Sequence, residues 1–158
     1  MNKPDRLIVF ELEDQRYALY LHAVHRIIRI VDITPLPEVS DFILGLINIR
    51  GQIVPVFDVR KRFDLPVRDT NLNDRIIIAQ TKKRTVALVA DRVQGVIEPT
   101  EGQQIPSQMI TPGMELFAGV IKLEDGMILI HDLERFLSLE EEKILSHAID
   151  KRKKLTHG

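Results

Sequence analysis

Gly45-Leu46-Ile47-Asn48-Ile49-Arg50-Gly51-Gln52-Ile53-Val54-Pro55-Val56-Phe57-Asp58-Val59-Arg60 is the stretch whose reading decides the fold. Two runs rich in Ile and Val flank the polar centre Arg50-Gly51-Gln52, the pattern of two strands joined by a tight turn. Gly51 supplies the positive φ that such a turn needs. Asn48 and Arg50 break the apolar pattern at alternate positions, so both point to the same, wetter face. Pro55 has no amide hydrogen, which places its strand at a sheet edge or a bulge. The product is a stiff hairpin with an arginine near its tip and an incomplete edge, an arrangement suited to docking rather than catalysis.

Around this hairpin, a chain of 158 residues makes one compact unit or two small intimate lobes. A domain of that size buries ~68–70% of its unfolded surface, enough for a core without staples. The 22 Lys and Arg against 23 Asp and Glu give a net charge of −1, which on charge alone points to neither nucleic acid nor membrane. Cysteine is absent, so disulfides and thiolate metal sites are excluded and a reducing, cytoplasmic setting is expected. Met1 to Arg6 lacks the basic-then-apolar layout of a signal peptide, and no apolar run approaches the ~20 residues that span a bilayer. A soluble intracellular chain, without direct membrane insertion, is the expectation.

Alternation predicts strands over Leu7–Glu13, with Ile8, Phe10 and Leu12 on one face and Glu11 and Glu13 on the other, and over Arg16–Tyr20. Leu21–Ile30 fits a helical turn at its start and an extended strand at its end. Thr34-Pro35-Leu36-Pro37 cannot be helical, and a short turn over Val39–Ile43 leads into the hairpin. Asp58 reads as the N-cap of a short helix reaching Asp64. The polar segment 66–74 is the expected internal boundary. Further strands are expected at Arg75–Gln80, Thr85–Ala90 and Val93–Ile97, then a long loop over Pro99–Gly113. Phe117–Leu123 and Met127–His131 form a last hairpin across Glu124-Asp125-Gly126. Ser138 and Glu141 make a capping box that opens a C-terminal helix, followed by a basic tail to residue 158. Many short strands with closely spaced turns and one terminal helix predict a mainly β, small-barrel architecture. No sequence repeat stands out, although two strand-rich halves could be two similar barrels.

The candidate chemistry is thin. His22 and His25 are three apart, but no third metal ligand accompanies them. His131-Asp132, at a strand end, fits a structural role or a helix cap. No Gly-x-Ser-x-Gly turn, Gly-x-Gly-x-x-Gly loop or Walker pattern occurs. The carboxylates Glu11, Glu13, Asp91 and Glu98 fit a solvated strand face. An oligonucleotide-binding barrel would interleave aromatics with basic residues; this chain has no Trp, two Tyr and six Phe, and Lys61-Arg62 and Lys82-Lys83-Arg84 fit solvated turns. What remains is protein docking. Arg50 is either an interface anchor or the partner of an internal carboxylate that fixes the hairpin.

From Leu7 to Leu137 the chain resembles the CheW family of bacterial chemotaxis coupling proteins. The likeness rests on Phe10-x-Leu12 with Tyr17-Ala18-Leu19, on Val24-x-x-Ile27 and on Ile33-Thr34-Pro35-Leu36-Pro37. It continues through Gly45-x-x-Asn48-Ile49-Arg50-Gly51-x-Ile53-Val54-Pro55-Val56-x-Asp58-Val59-Arg60, then Ala87-Leu88-Val89-Ala90-Asp91-x-Val93 and Gly119. The resemblance implies two five-stranded SH3-like barrels around a shared core, as a domain over 7–137 with residues 138–158 appended. It implies no catalysis and no cofactor. The implied partners are the cytoplasmic tip of methyl-accepting chemoreceptors and the regulatory domain of a CheA-type histidine kinase, with the protein cytoplasmic and recruited to receptor arrays. Positions matching the family's receptor contacts are Val24, Arg50, Ile76 and Val96, in a groove between the barrels shaped by Gly45 and Gly51. The kinase contact suggested by the resemblance is the strand 53–57, with Ile53, Val54 and Val56. One departure is Arg26, where many members carry glutamate; beside Arg50 it would set like charges together unless a partner supplies a carboxylate. A specialised paralogue serving a non-motility array is the alternative. Only about 20 residues follow the matched region, so a free-standing adaptor is expected.

Overall fold

Apolar side chains on both faces of one strand set the architecture. In β1 (Leu7–Leu12), Ile8, Phe10 and Leu12 enter one core while Leu7 and Val9 enter another. The face expected to carry only Glu11 and Glu13 is therefore also buried, and β1 lies inside its sheet. The computed structural model describes residues 5–36, 42–100, 102–106, 117–136 and 149–150. After β1 come β2 (Gln15–Tyr20), a 3₁₀ turn (Leu21–Ala23), β3 (Val24–Arg29), β4 (Ile43–Ile49), β5 (Gln52–Phe57) and α1 (Val59–Arg62). The chain continues through β6 (Arg75–Gln80), β7 (Thr85–Ala90), β8 (Arg92–Ile97), β9 (Gln104–Pro106), β10 (Phe117–Leu123), β11 (Gly126–His131) and α2 (Leu133–Phe136).

Two sheets result, in the orders β8-β1-β2-β11-β10-β9 and β3-β6-β7-β5-β4. Each covers a core of its own: Leu7, Val9, Ala18, Ile121, Ile128 and Ile130 in the first lobe, Ile47, Val54, Val56, Ile76, Ile78 and Ala87 in the second. A third core, including Phe10, Tyr17, Leu19, Phe57, Ile77 and Leu88, takes residues from both lobes. These are the two SH3-like barrel lobes around a shared core. The first has a sixth, three-residue strand, β9, inside the segment read as a loop.

The lobes interleave along the chain. β1 and β2 start the first lobe, β3 to β7 build the second, and β8 to β11 complete the first. The polar segment 66–74 therefore joins α1 to β6 within the second lobe instead of dividing the molecule. It is polar because it is a surface loop, tied down where Asp74 accepts from Arg68 (2.7 Å) and from the Asn71 amide (2.9 Å).

The lobes share one plan. In each, an outer strand pairs with a hairpin that is joined by a parallel step, β2 beside β11 or β5 beside β7, to a second hairpin. The second hairpins match residue by residue at their starts: register shifts fall at Ile43/Gly45 and at Phe117/Gly119. Both run into a capping aspartate. Asp58 accepts from the Arg60 amide at 3.1 Å, and Asp132 accepts from the Glu134 and Arg135 amides at 3.0 and 3.2 Å. The expected turn over 39–43 and the helix and tail over 138–158 lie largely outside the described residues; Ile149 and Asp150 are helical, and Ile149 packs on the shared core. Among the described residues no helix is long and apolar enough to cross a membrane.

Candidate functional site

The β4–β5 hairpin closes with the pair Ile49 and Gln52, leaving Arg50-Gly51 as a two-residue loop. Both have positive φ, 51° and 88°, the requirement of a type I′ turn. Asn48 Oδ1 accepts from the Gly51 amide at 2.8 Å and holds the turn. For a residue with a Cβ this backbone is strained by roughly 1–2 kcal/mol, and such strain gathers at functional positions. Arg50 is exposed and makes no hydrogen bond or ion pair among the described residues. Among the described residues, therefore, no carboxylate realises the internal alternative for Arg50.

Side-chain bonds fix what lies near the tip. Gln52 Nε2 donates to Thr85 Oγ1 (3.1 Å), which donates to Gln80 Oε1 (2.6 Å), and Ala79 beside Gln80 stands opposite Val24. Val24 and Arg50 thus share one end of the second sheet. At that end a cleft of about 500 Å³ opens between the lobes, lined by Leu19, Tyr20 and Ala118 from one and Ala23, Gln80 and Thr81 from the other. Val96, half exposed, stands opposite Ile8, which stands opposite the cleft residue Leu19. Directly opposed residues share a face, so Val96 lies on the side of its sheet that meets the other lobe.

Other expected contacts are inside the protein. Ile76, Val54 and Val56 are fully buried in the second lobe's own core, so their side chains face no partner. Ile53 is half-buried and packs, like Val24, on the shared core. β5 is not an edge strand, because β4 and β7 flank it. Pro55 is accommodated because the β7 pairing covers only Val56–Ala87 and Phe57–Leu88, beyond the missing donor. The outer strand of the hairpin is β4, bridged by Thr34 through two 2.8 Å bonds with Leu46. Gly45 permits that approach: a Cβ on it would lie 2.1 Å from the Thr34 carbonyl oxygen. At Gly51 a Cβ would meet nothing within 4 Å, so there only the turn geometry requires glycine.

Arg60, ten residues from Arg50 in the same block, has the opposite fate. Its side chain is 6% exposed and bonds both Glu13, in the β1–β2 turn, and Asp91, between β7 and β8. Arg68 binds Asp91 (2.6 Å) and Asp74 (2.7 Å), and the Glu13 amide donates to Asp91 Oδ2 (2.8 Å). This cluster joins the two lobes. Glu13 and Asp91 are therefore not a solvated strand face; Glu11 is engaged too, by Arg92 at 3.1 Å. Burial pushes the Asp91 carboxyl up, but the Arg60 bond, the Glu13 amide and the charges of Arg60 and Arg68 outweigh it and hold the group below the usual carboxylate range. Bonding to Asp74, against a smaller opposing effect of burial, raises the Arg68 guanidinium further.

The histidines are dispersed. His22 stacks on Tyr20 with centroids 5.6 Å apart, and buried His131 meets Phe63 edge-on at 5.2 Å. Among the described residues no three metal-ligating groups come together.

Residues 6–141 match the model of the CheW-like domain. Chemotaxis protein CheW of Rhizobium meliloti is 31% identical over 139 residues, 87% of this chain and 90% of the relative. Chemotaxis protein CheW of Thermotoga maritima is 29% identical over 135 residues, 85% of this chain and 89% of the relative. The crystal structure of the scaffolding protein TtCheW from Thermoanaerobacter tengcongensis superposes with a TM-score of 0.79 at 34% identity, covering 87% of this chain and 95% of that one. Interleaved lobes, a glycine-shaped hairpin and near full-length similarity agree: the chain belongs to the CheW-like domain family.

Proposed function

We propose that this protein is a non-catalytic chemosensory adaptor that couples the cytoplasmic tips of transmembrane chemoreceptors to the regulatory domain of a CheA-type histidine kinase. The observation that carries the reading is Arg50, strained, exposed and without a partner among the described residues, at the end of the sheet where the interlobe cleft opens. A guanidinium held on a stiff turn makes directional contacts, and a mostly apolar cleft at the same end of the sheet offers room for side chains of a partner helix or loop. The names of the relatives, chemotaxis proteins and a scaffolding protein, support the same role. Val24 and Val96 remain receptor contacts in this reading, while Ile76 supports the sheet beneath them. For the kinase contact on strand 53–57, burial of Val54 and Val56 leaves Ile53 as the side chain open to a partner. The protein would act in the cytoplasm, recruited to receptor arrays. Arg26, in place of the family's frequent glutamate, favours as second reading a paralogue serving a separate array.

The test is titration of the purified chain with the regulatory domain of the kinase. Saturable binding at low micromolar concentration or tighter is expected; absence of binding at high concentration would reject the adaptor reading.

A further inference from the structure

β3 and β8 hold the same place in their lobes. Each is an outer strand, and each skips one residue of its ladder after a valine: His25 after Val24 and Gln94 after Val93. In that correspondence Ile28, opposite Ile76, matches Ile97, opposite Leu7. One step further, Arg29 stands opposite Arg75, whereas the matching positions in the first lobe are Glu98 and Arg6, of opposite sign. The fold itself therefore does not require two arginines there.

The polar side chains of β8 are satisfied within the lobe, since Arg92 and Gln94 both engage Glu11. Those of β3 are not. Arg26 and Arg29 are exposed and make no hydrogen bond or ion pair among the described residues. Among the described residues Arg75 donates only to the carbonyls of Asn73 (3.0 Å) and Asp74 (3.1 Å). Asp32, the one carboxylate between Leu21 and Leu36, pairs with none of them. Like charges placed directly across a ladder are unfavourable, and among the described residues no strand pairs the outer edge of β3. An open edge lined with unpaired cations lacks a strand of the opposite charge.

We propose that the outer edge of β3 is a docking strand for an extended acidic segment of a partner protein, whose backbone extends the sheet and whose carboxylates take Arg26 and Arg29. Arg26 shares a face with Ile78, and Arg29 shares the other with Ile77 and Arg75, so the matching carboxylates lie three residues apart, one on each face of the added strand. The proposal goes beyond the adaptor reading and uses neither Arg50 nor the cleft.

The experiment uses the full chain and two fluorescent peptides of about ten residues: threonine and valine with two glutamates three apart, and the same peptide with glutamine in both places. Anisotropy should show saturable binding of the glutamate peptide, weakened about tenfold between about 0.05 and 0.5 M salt. The glutamine peptide should bind at least tenfold more weakly. Arg26→Glu with Arg29→Glu should abolish binding, whereas Arg29→Glu alone should raise the melting temperature by giving Arg75 an opposite charge. Equal binding of the two peptides, or binding that survives the double variant, would overturn the proposal. So would a lowered melting temperature in Arg29→Glu, which would make that arginine structural. A single-stranded oligonucleotide that binds more tightly than the peptide, or self-association abolished by the double variant, would assign the edge to another occupant and overturn it equally.

Discussion

Replacing Arg60 by methionine keeps most of the side-chain volume and removes the charge that joins the two lobes. Losing one partner of a buried ion pair costs about 3–5 kcal/mol when the other is left without compensation. Here the cost is smaller. Glu13 is 41% exposed and returns to water, so its share resembles that of a surface pair, ~0–1 kcal/mol. Asp91 is 21% exposed and keeps Arg68 and the Glu13 amide. A loss of about 2–3 kcal/mol follows, or about 4–12 °C in melting temperature for a chain of this size. Urea and thermal unfolding followed by circular dichroism read both quantities. The paired experiment is Asp91→Asn: the double variant should lose less than the sum of the singles, because both remove the same bond. A loss below about 0.5 kcal/mol for Arg60→Met, or strict additivity in the cycle, would refute the assignment of Arg60 as the clasp between lobes.

Three further outcomes are expected. Because the Asp91 pKa is lower folded than unfolded, the unfolded chain binds more protons in acid; the stabilisation is complete above the ordinary Asp value of about 3.9 and is lost as pH falls through the depressed folded value. Urea midpoints measured between about pH 7 and about pH 2 should fall less steeply in Asp91→Asn, and an unchanged slope would contradict the cluster. Gly45→Ala should destabilise by about 1–3 kcal/mol or more, since the new Cβ meets the Thr34 carbonyl at a φ of 151°; unaltered thermal unfolding would show that β4 and the Thr34 segment separate freely. Arg50→Gly should stabilise by about 0.5–1 kcal/mol, as relief of left-handed strain exceeds the entropy cost of glycine, while weakening partner binding. A destabilised Arg50→Gly would mean that the arginine contributes to the fold.

Strand positions were legible because alternation and turn residues are local signals. Arg75–Gln80 and Thr85–Ala90 follow from such patterns with their ends intact, and Asp58 follows from cap chemistry. The interleaving of the lobes was not legible. It is decided by the parallel pairings of β2 with β11 and of β5 with β7, between segments distant in sequence and with no turn to mark them. The same limit hid the clasp: Arg60 lies 47 residues from Glu13 and 31 from Asp91. No local pattern distinguishes an arginine that ends on a turn from one that ends under it. Resemblance carried Val24, Arg50 and Val96 to accessible positions and Ile76, Val54 and Val56 into a core, because a match of positions does not report which face a strand turns outward. Even the likeness of the two second hairpins, with their shared glycine shift and capping aspartate, needed the register to be seen.

The central claim is that one arginine of the block meets a partner and the other holds the lobes together. The most direct measurement is the affinity of Arg50→Glu for a soluble chemoreceptor cytoplasmic fragment, with its unfolding recorded alongside. Binding weakened at least about tenfold, a change of about 1.4 kcal/mol, with the melting temperature unchanged or raised, is the expected result. Full affinity, or a melting temperature lowered by several degrees, would contradict the claim.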